Sequence, residues 1–206
     1  MGYSTDFGGS FQLSRPTTTV EKDFLDKLVE TRRMKRDVNK LMEMFKGEHG
    51  YPFAEDKTDP NQVYGYAGEY FVGGGGSMGQ AQDDSIIDYN SPSGEIGWKD
   101  YKGDWALKQE MEDKLNKDSL KQPGLWLQWE LSSDGTELSW DGNEKFYHYI
   151  EWLQYLIQHF FEKWGIKLNG EVVWQGEESN DFGKIIITDN FVEILDGEKN
   201  YVKRGN

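Results

Sequence analysis

The stretch Asp141–Gly165, DGNEKFYHYIEWLQYLIQHFFEKWG, constrains the fold more than any other part of this 206-residue chain. Phe146, Tyr149, Ile150, Leu153, Leu156, Ile157, Phe160, Phe161 and Trp164 recur at helical spacing. They make one apolar face over about five turns. A second stripe, His148, Trp152, Tyr155 and His159, runs along its flank, and Tyr147, Glu151, Gln154, Gln158 and Glu162 fall on the polar side. Asp141, with Glu144 three residues on, has the form of a capping box. Gly165 can take the left-handed conformation that ends a helix. The pattern predicts a single helix over Asp141–Trp164. So wide an apolar arc has to be covered by a sheet or by other helices. Each large side chain it buries contributes roughly 1.5–3 kcal/mol, which makes this the central core helix.

The flanking sequence supplies the cover. Tyr3–Leu13 alternates and reads as a strand with a bulge or bend at Gly8-Gly9. Thr18 and Glu21 form a second capping box, opening a helix over Val20–Arg36 that buries Phe24, Leu25 and Leu28. Asn39–Phe45 suggests a short helix. Residues 46–93 form a long Gly-rich loop region with short strands at Glu69–Val72 and Ser85–Tyr89. Residues 94–122 are charged, with a thin apolar stripe, and read as a helical insertion on the surface. Leu125–Leu131 and Thr136–Trp140 are strands about the turn Ser133-Asp134-Gly135. After the central helix come a strand over Ile166–Gln175, kinked at Asn169-Gly170, and the strands Lys184–Thr188 and Phe191–Leu195 joined by Asp189-Asn190. The expected fold is therefore α+β: one domain over residues 1–206, an antiparallel sheet with the long helix and a second helix on one face, plus the surface insertion. A ferredoxin-like or related split arrangement is compatible with this order.

Charge and residue types exclude several function classes. The net charge is −14, which argues against direct nucleic-acid binding. There is no Cys, hence no disulfide and no thiolate metal site. His49, His148 and His159 are scattered, and no metal-ligand spacing occurs. No apolar run approaches the roughly 20 residues of a membrane-spanning helix. The opening MGYSTDFGGS has neither basic nor apolar signal regions, so a cytoplasmic protein is expected. Nucleophile elbows are absent, and Gly73–Gly76 lacks the Lys of a phosphate loop. Neither a metal nor a cofactor is expected.

Several segments are nonetheless distinctive: GYSTDFGGSF, ETRRMKR, IIDYNSP, PGLWLQW, WDGNEKFYHYIEWLQYLI and WGIKLNGEVVWQGEESNDFGKI. They resemble a family of small, largely uncharacterised proteins of tailed bacteriophages and bacteria. The similar segments lie at both ends and include the central helix, whereas Gly94–Gln122 departs from the family pattern as extra sequence. The resemblance implies one compact domain and a phage or bacterial cytoplasmic origin. It implies no catalytic residue.

Two charge clusters are candidate binding surfaces. Three of the five Arg, namely Arg32, Arg33 and Arg36, fall with Lys35 in five residues. Cations there would offset a helix dipole, by about 0.3–1 kcal/mol each, and could pair with Asp88 or with the acidic hairpin. Arg forks also suit phosphate, with Tyr89, Trp126 or Trp129 stacking a base. The span Glu171–Glu198 carries eight acidic residues against Lys184 alone, a net −7. Within it Glu177 and Glu178, next to Trp174 and Gln175, could meet a sugar or a cation, or belong to a solvated hairpin. The expected function is that of a phage-type accessory protein that binds a host or phage protein and does no chemistry. One alternative is an enzyme or sensor for a phosphorylated small ligand such as a nucleotide, held at the basic turn. Another is an acidic decoy that mimics nucleic acid. The sequence leaves the oligomeric state open.

Overall fold

The structure, a computed structural model, describes residues 2–37, 40, 84–92 and 122–197. It is α+β: the described residues form eight strands, six of them in one antiparallel sheet, and two helices. In chain order these are β1 (Thr5–Leu13), α1 (Thr19–Glu30), β2 (Met34–Arg36), β3 (Ile86–Pro92), β4 (Trp129–Leu131), β5 (Glu137–Trp140), α2 (Tyr149–Leu156), β6 (Leu168–Gly176), β7 (Phe182–Thr188) and β8 (Phe191–Asp196). The main sheet has the order β4-β5-β1-β6-β7-β8, and β2-β3 is a separate ribbon. Among the described residues every pairing is antiparallel, which differs from the ferredoxin-like arrangement, a fold with parallel neighbours. Of the bulge or bend expected at Gly8-Gly9, the bulge is absent, since β1 and β6 keep one register from Thr5↔Gly176 to Leu13↔Leu168. Gly9 instead takes φ 108 and Gly170 φ 138. A Cβ at Gly9 would lie 2.6 Å from the Glu171 carbonyl, and one at Gly170 2.8 Å from that of Ser10. The two strands approach this closely because neither position carries a side chain.

Alternation puts Phe11, Leu13, Leu138, Leu168, Val172, Trp174, Ile185 and Ile187 on the sheet face covered by α1 and α2. Phe24 of α1 meets Phe160 with ring centroids 5.3 Å apart. The Thr18/Glu21 capping box forms as expected. The helix it opens stops at Glu30, however, not at Arg36; Thr31 is already extended, and Met34–Arg36 are a strand.

The central helix also differs at its start. It begins at Tyr149, after a His148 at φ 58. Asp141 caps nothing helical: its carboxylate takes the N–H and the side-chain amide of Asn143, each at 2.8 Å. Lys145 and His148 are both left-handed, which a right-handed helix cannot contain. Phe146 reaches the core from this loop, 3% exposed, with its ring 5.5 Å from that of Trp129. Its burial, and not helical continuity, produced the apparent periodicity. Further on, Ile157–Phe161 form a π-helical turn, closed by Glu162 N–H donating to the Ile157 carbonyl. The extra residue in that turn lets the consecutive Phe160 and Phe161 both be fully buried. Gly165, φ 68, ends the helix as expected.

Residues 46–83 of the Gly-rich region, with Glu69–Val72, lie outside the described residues, as do Leu41–Phe45 and 94–121 of the expected insertion. Gln122, assigned to that surface insertion, is 3% exposed and holds Arg33.

Candidate functional site

The basic turn is mostly internal. Arg33 and Arg36 are 3% and 4% exposed. Arg33 Nε donates to Gln122 Oε1 at 3.0 Å, and Gln122 Nε2 returns a bond to the Arg33 carbonyl at 2.9 Å. Arg36 Nη1 donates to Ser85 Oγ at 2.8 Å. Arg32 lies 4.3 Å over the Tyr89 ring and 6.0 Å from that of Trp126, and donates to the Tyr89 carbonyl. Lys35 stands opposite Asp88 in the β2–β3 register. The Asp88 carboxyl is held below its ordinary range by the Ser91 hydroxyl, then by the Asn90 N–H, with the Lys35 charge a lesser contributor. The fold thus joins Arg32, Asp88, Tyr89 and Trp126 through the short ribbon, and turns Arg33 and Arg36 inward as braces for it.

Four other expected site residues have structural work. Trp129 is a core residue, 1% exposed, whose Nε1–H donates to the Tyr149 carbonyl at 2.9 Å; it cannot stack a base. Trp174 faces the core, and its indole N–H reaches Asp181 Oδ1 at 3.3 Å. Gln175 Nε2 donates to the carbonyls of Gly176, Glu178 and Asp181 and so braces the turn after β6. Glu177 accepts the Ser4 N–H at 2.7 Å. Tyr3 O–H donates to Asp181 Oδ2 at 2.6 Å. These contacts tie the N-terminal segment to that turn.

A groove lies beside the Arg32–Tyr89–Trp126 stack. It measures about 940 Å³ and is bounded by the end of α1, the end of β3, residues 123–128 and the loop 141–148. Trp126 and the half-exposed Tyr147 line it. So do Glu30, Glu130, Asp141 and Glu144, against Lys145 alone. Lys145 lies 4.0 Å from Glu144, with both side chains mostly exposed, and offsets little of that charge. Glu130 comes from β4, whose alternation buries Trp129 and Leu131 and sends Glu130 outward. Desolvation raises its carboxyl above the ordinary range, and the charges of Asp141 and Asp26 add to this, with Lys22 opposing. Carboxylates beside aromatic rings suit an ammonium or guanidinium group, through charge-assisted hydrogen bonds and the ring faces. Among the described residues no group of three His, Asp or Glu side chains is placed to hold a metal ion.

Of the groove residues, sequence reasoning found only Trp126. Asp141 and Glu144 read as a helix cap, Tyr147 as a polar-face position and Glu130 only as part of the strand Leu125–Leu131. Acidic residues at both ends of a Trp-rich hairpin, Glu130 and Asp141, were the available signal. Comparison with protein-family models, with curated proteins and with solved structures gives no match.

Proposed function

We propose that this protein acts by binding, and that the groove beside Trp126 takes a basic segment of a protein partner. The observation that carries the reading is the conjunction of four carboxylates, one of them with a raised pKa, with exposed aromatic walls in a groove of about 940 Å³. Pockets with perturbed titratable groups are favoured places for ligands. On the resemblance to phage proteins, the partner is a host or phage protein. The reading for a phosphorylated ligand is weaker, because Arg33 and Arg36 are committed to Gln122 and Ser85. The surrounding negative potential also opposes an arriving anion.

Titration calorimetry with oligoarginine and oligolysine peptides tests the proposal. The double variant Glu130→Gln/Glu144→Gln should weaken binding roughly tenfold, the loss of about 1.4 kcal/mol expected when charge-assisted contacts are removed. The control Glu151→Gln/Glu162→Gln removes the same charge from exposed positions of the helix region and should change it little. Equal weakening by both pairs would mean diffuse attraction to a chain of −14, the behaviour of a nucleic-acid-mimicking decoy, and would reject the groove.

A further inference from the structure

We propose that the outer edge of β8 is a second docking site, for an extended segment of a protein partner that sets a Lys or Arg against Glu193. It is independent of the groove. Among the described residues β8 has a neighbour on one side only. The opposite end of the sheet, β4, is three residues long and lies against α1. The β8 edge is six residues long, and its register with β7 is unbroken from Thr188↔Phe191 to Gly183↔Asp196. It carries none of the Pro, Lys or bulges by which sheet edges usually refuse partners; Glu193 is its one central charge.

The hairpin settles which backbone groups face outward. Asp189 and Asn190 have φ 49 and 72, a two-residue turn closed by Thr188 and Phe191. The closing pair of such a turn exchanges both hydrogen bonds, and bonding then alternates along the strand. Phe191, Glu193 and Leu195 therefore bond to β7, while Val192 and Ile194 turn their N–H and C=O groups to the open edge. The side chains agree with an added strand. Phe191 is 73% exposed and Ile194 44%, and Ile194 extends the apolar face beyond its register partner Ile185. Glu193 is exposed, and Lys184, which the register places on the same face, is taken by both oxygens of Glu171 at 3.0 Å.

Charge selects the occupant. A second copy would bring another −7 hairpin against this one, on a chain of −14. A basic strand gains where a copy loses. Its backbone would bond Val192 and Ile194, its apolar face would cover Ile194, and its cation would meet Glu193.

Amide hydrogen exchange on the full chain tests this, with an alternating Lys–Val peptide as probe and an alternating Glu–Val peptide as control. In the free protein Val192 and Ile194 should exchange fast and Glu193 and Leu195 slowly. The Lys–Val peptide should slow Val192 and Ile194 roughly tenfold or more, and the Glu–Val peptide should not. Ile194→Pro removes an outward N–H and no bond to β7, so it should abolish the slowing while Glu193 and Leu195 stay protected, which also reports that the hairpin is folded. Glu193→Lys should abolish it too, and Glu130→Gln/Glu144→Gln should leave it intact. The proposal is overturned if Val192 and Ile194 are already protected in the dilute free protein. It is equally overturned if neither peptide slows them, if both do, or if a dimer forms that Ile194→Pro dissociates.

Discussion

Glu21 and Glu130 are two carboxylates that the fold treats in opposite ways. Glu21 is 1% exposed. Burial alone would push its carboxyl up, but Arg15 donates to both of its oxygens at 2.8 Å and Thr18 N–H to one at 2.7 Å, and the net shift is downward. A lowered folded pKa contributes stability that is complete above the unfolded value and is lost as pH falls through the folded one. Glu21→Gln should therefore destabilise at neutral pH, by about 1.5–3 kcal/mol for charged hydrogen bonds, toward the low end because Arg15 is 37% exposed. The difference from wild type should shrink in acid, below the ordinary carboxylate range. Glu130 carries the reverse sign. Its pKa is raised, so its charge penalises the folded state at neutral pH, and the penalty is relieved as pH falls through the raised value. Glu130→Gln should raise the melting temperature at neutral pH and leave it unchanged in acid; a lower melting temperature at neutral pH would mean that the ionised carboxylate makes a needed contact. The buried arginines belong to the same scale. Arg33→Gln/Arg36→Gln should destabilise, since it empties the bonds to Gln122 and Ser85, and the loss should be the same with or without nucleotide. A nucleotide-induced rise in melting temperature that the double variant abolishes would instead favour the phosphate site.

The helix region shows which elements could be read in the sequence and which could not. Leu153, Leu156 and Ile157 were legible as core because all three lie where periodicity and burial coincide. Leu153 is fully buried, and Leu153→Ala should cost on the order of 2–5 kcal/mol, measured by denaturant unfolding; an unchanged midpoint would remove that face from the core. The start of the helix was not legible. Phe146 lies at helical spacing from Tyr149 and Ile150, yet it enters the core from a loop fixed by the Asp141–Asn143 bonds and two left-handed residues. A local side-chain turn overrode the period. The π-helical turn was hidden for a related reason, since an apolar run FF satisfies any phase. The hairpin β7–β8 was legible to within two residues because Asp189-Asn190 is a turn signal with a local cause. The basic turn misled because four cations after a capped helix look like its last turn, whereas Met34–Arg36 pair with β3, a partner some fifty residues away in sequence. The groove is assembled from four separated segments, and its one local signal is the pair of acidic residues, Glu130 and Asp141, at the ends of the hairpin.

At the scale of the molecule, a net charge of −14 on 206 residues sets long-range repulsion against a core rich in aromatic side chains. The repulsion is screened over about 30 Å at 0.01 M salt but about 8 Å at 0.15 M. The groove concentrates part of it. Glu30, Glu130 and Glu144 converge there with one lysine to offset them, while Asp141 is partly satisfied by Asn143. Such a cluster opposes folding and favours a cationic partner for the same electrostatic reason, so stability and binding should trade against each other. The wild-type melting temperature should rise between the two salt concentrations. The triple variant Glu30→Gln/Glu130→Gln/Glu144→Gln, which leaves Asp141 and its turn intact, should melt higher than wild type in low salt and gain less from added salt. It should also lose oligoarginine binding, and the wild type should bind that peptide progressively less well as salt is added. Calorimetric melting at the two ionic strengths, with peptide titration on the same samples, measures all of these. If the triple variant melts lower than wild type in low salt, the three carboxylates stabilise the fold. The groove would then be a structural feature and not a site held ready for a basic partner.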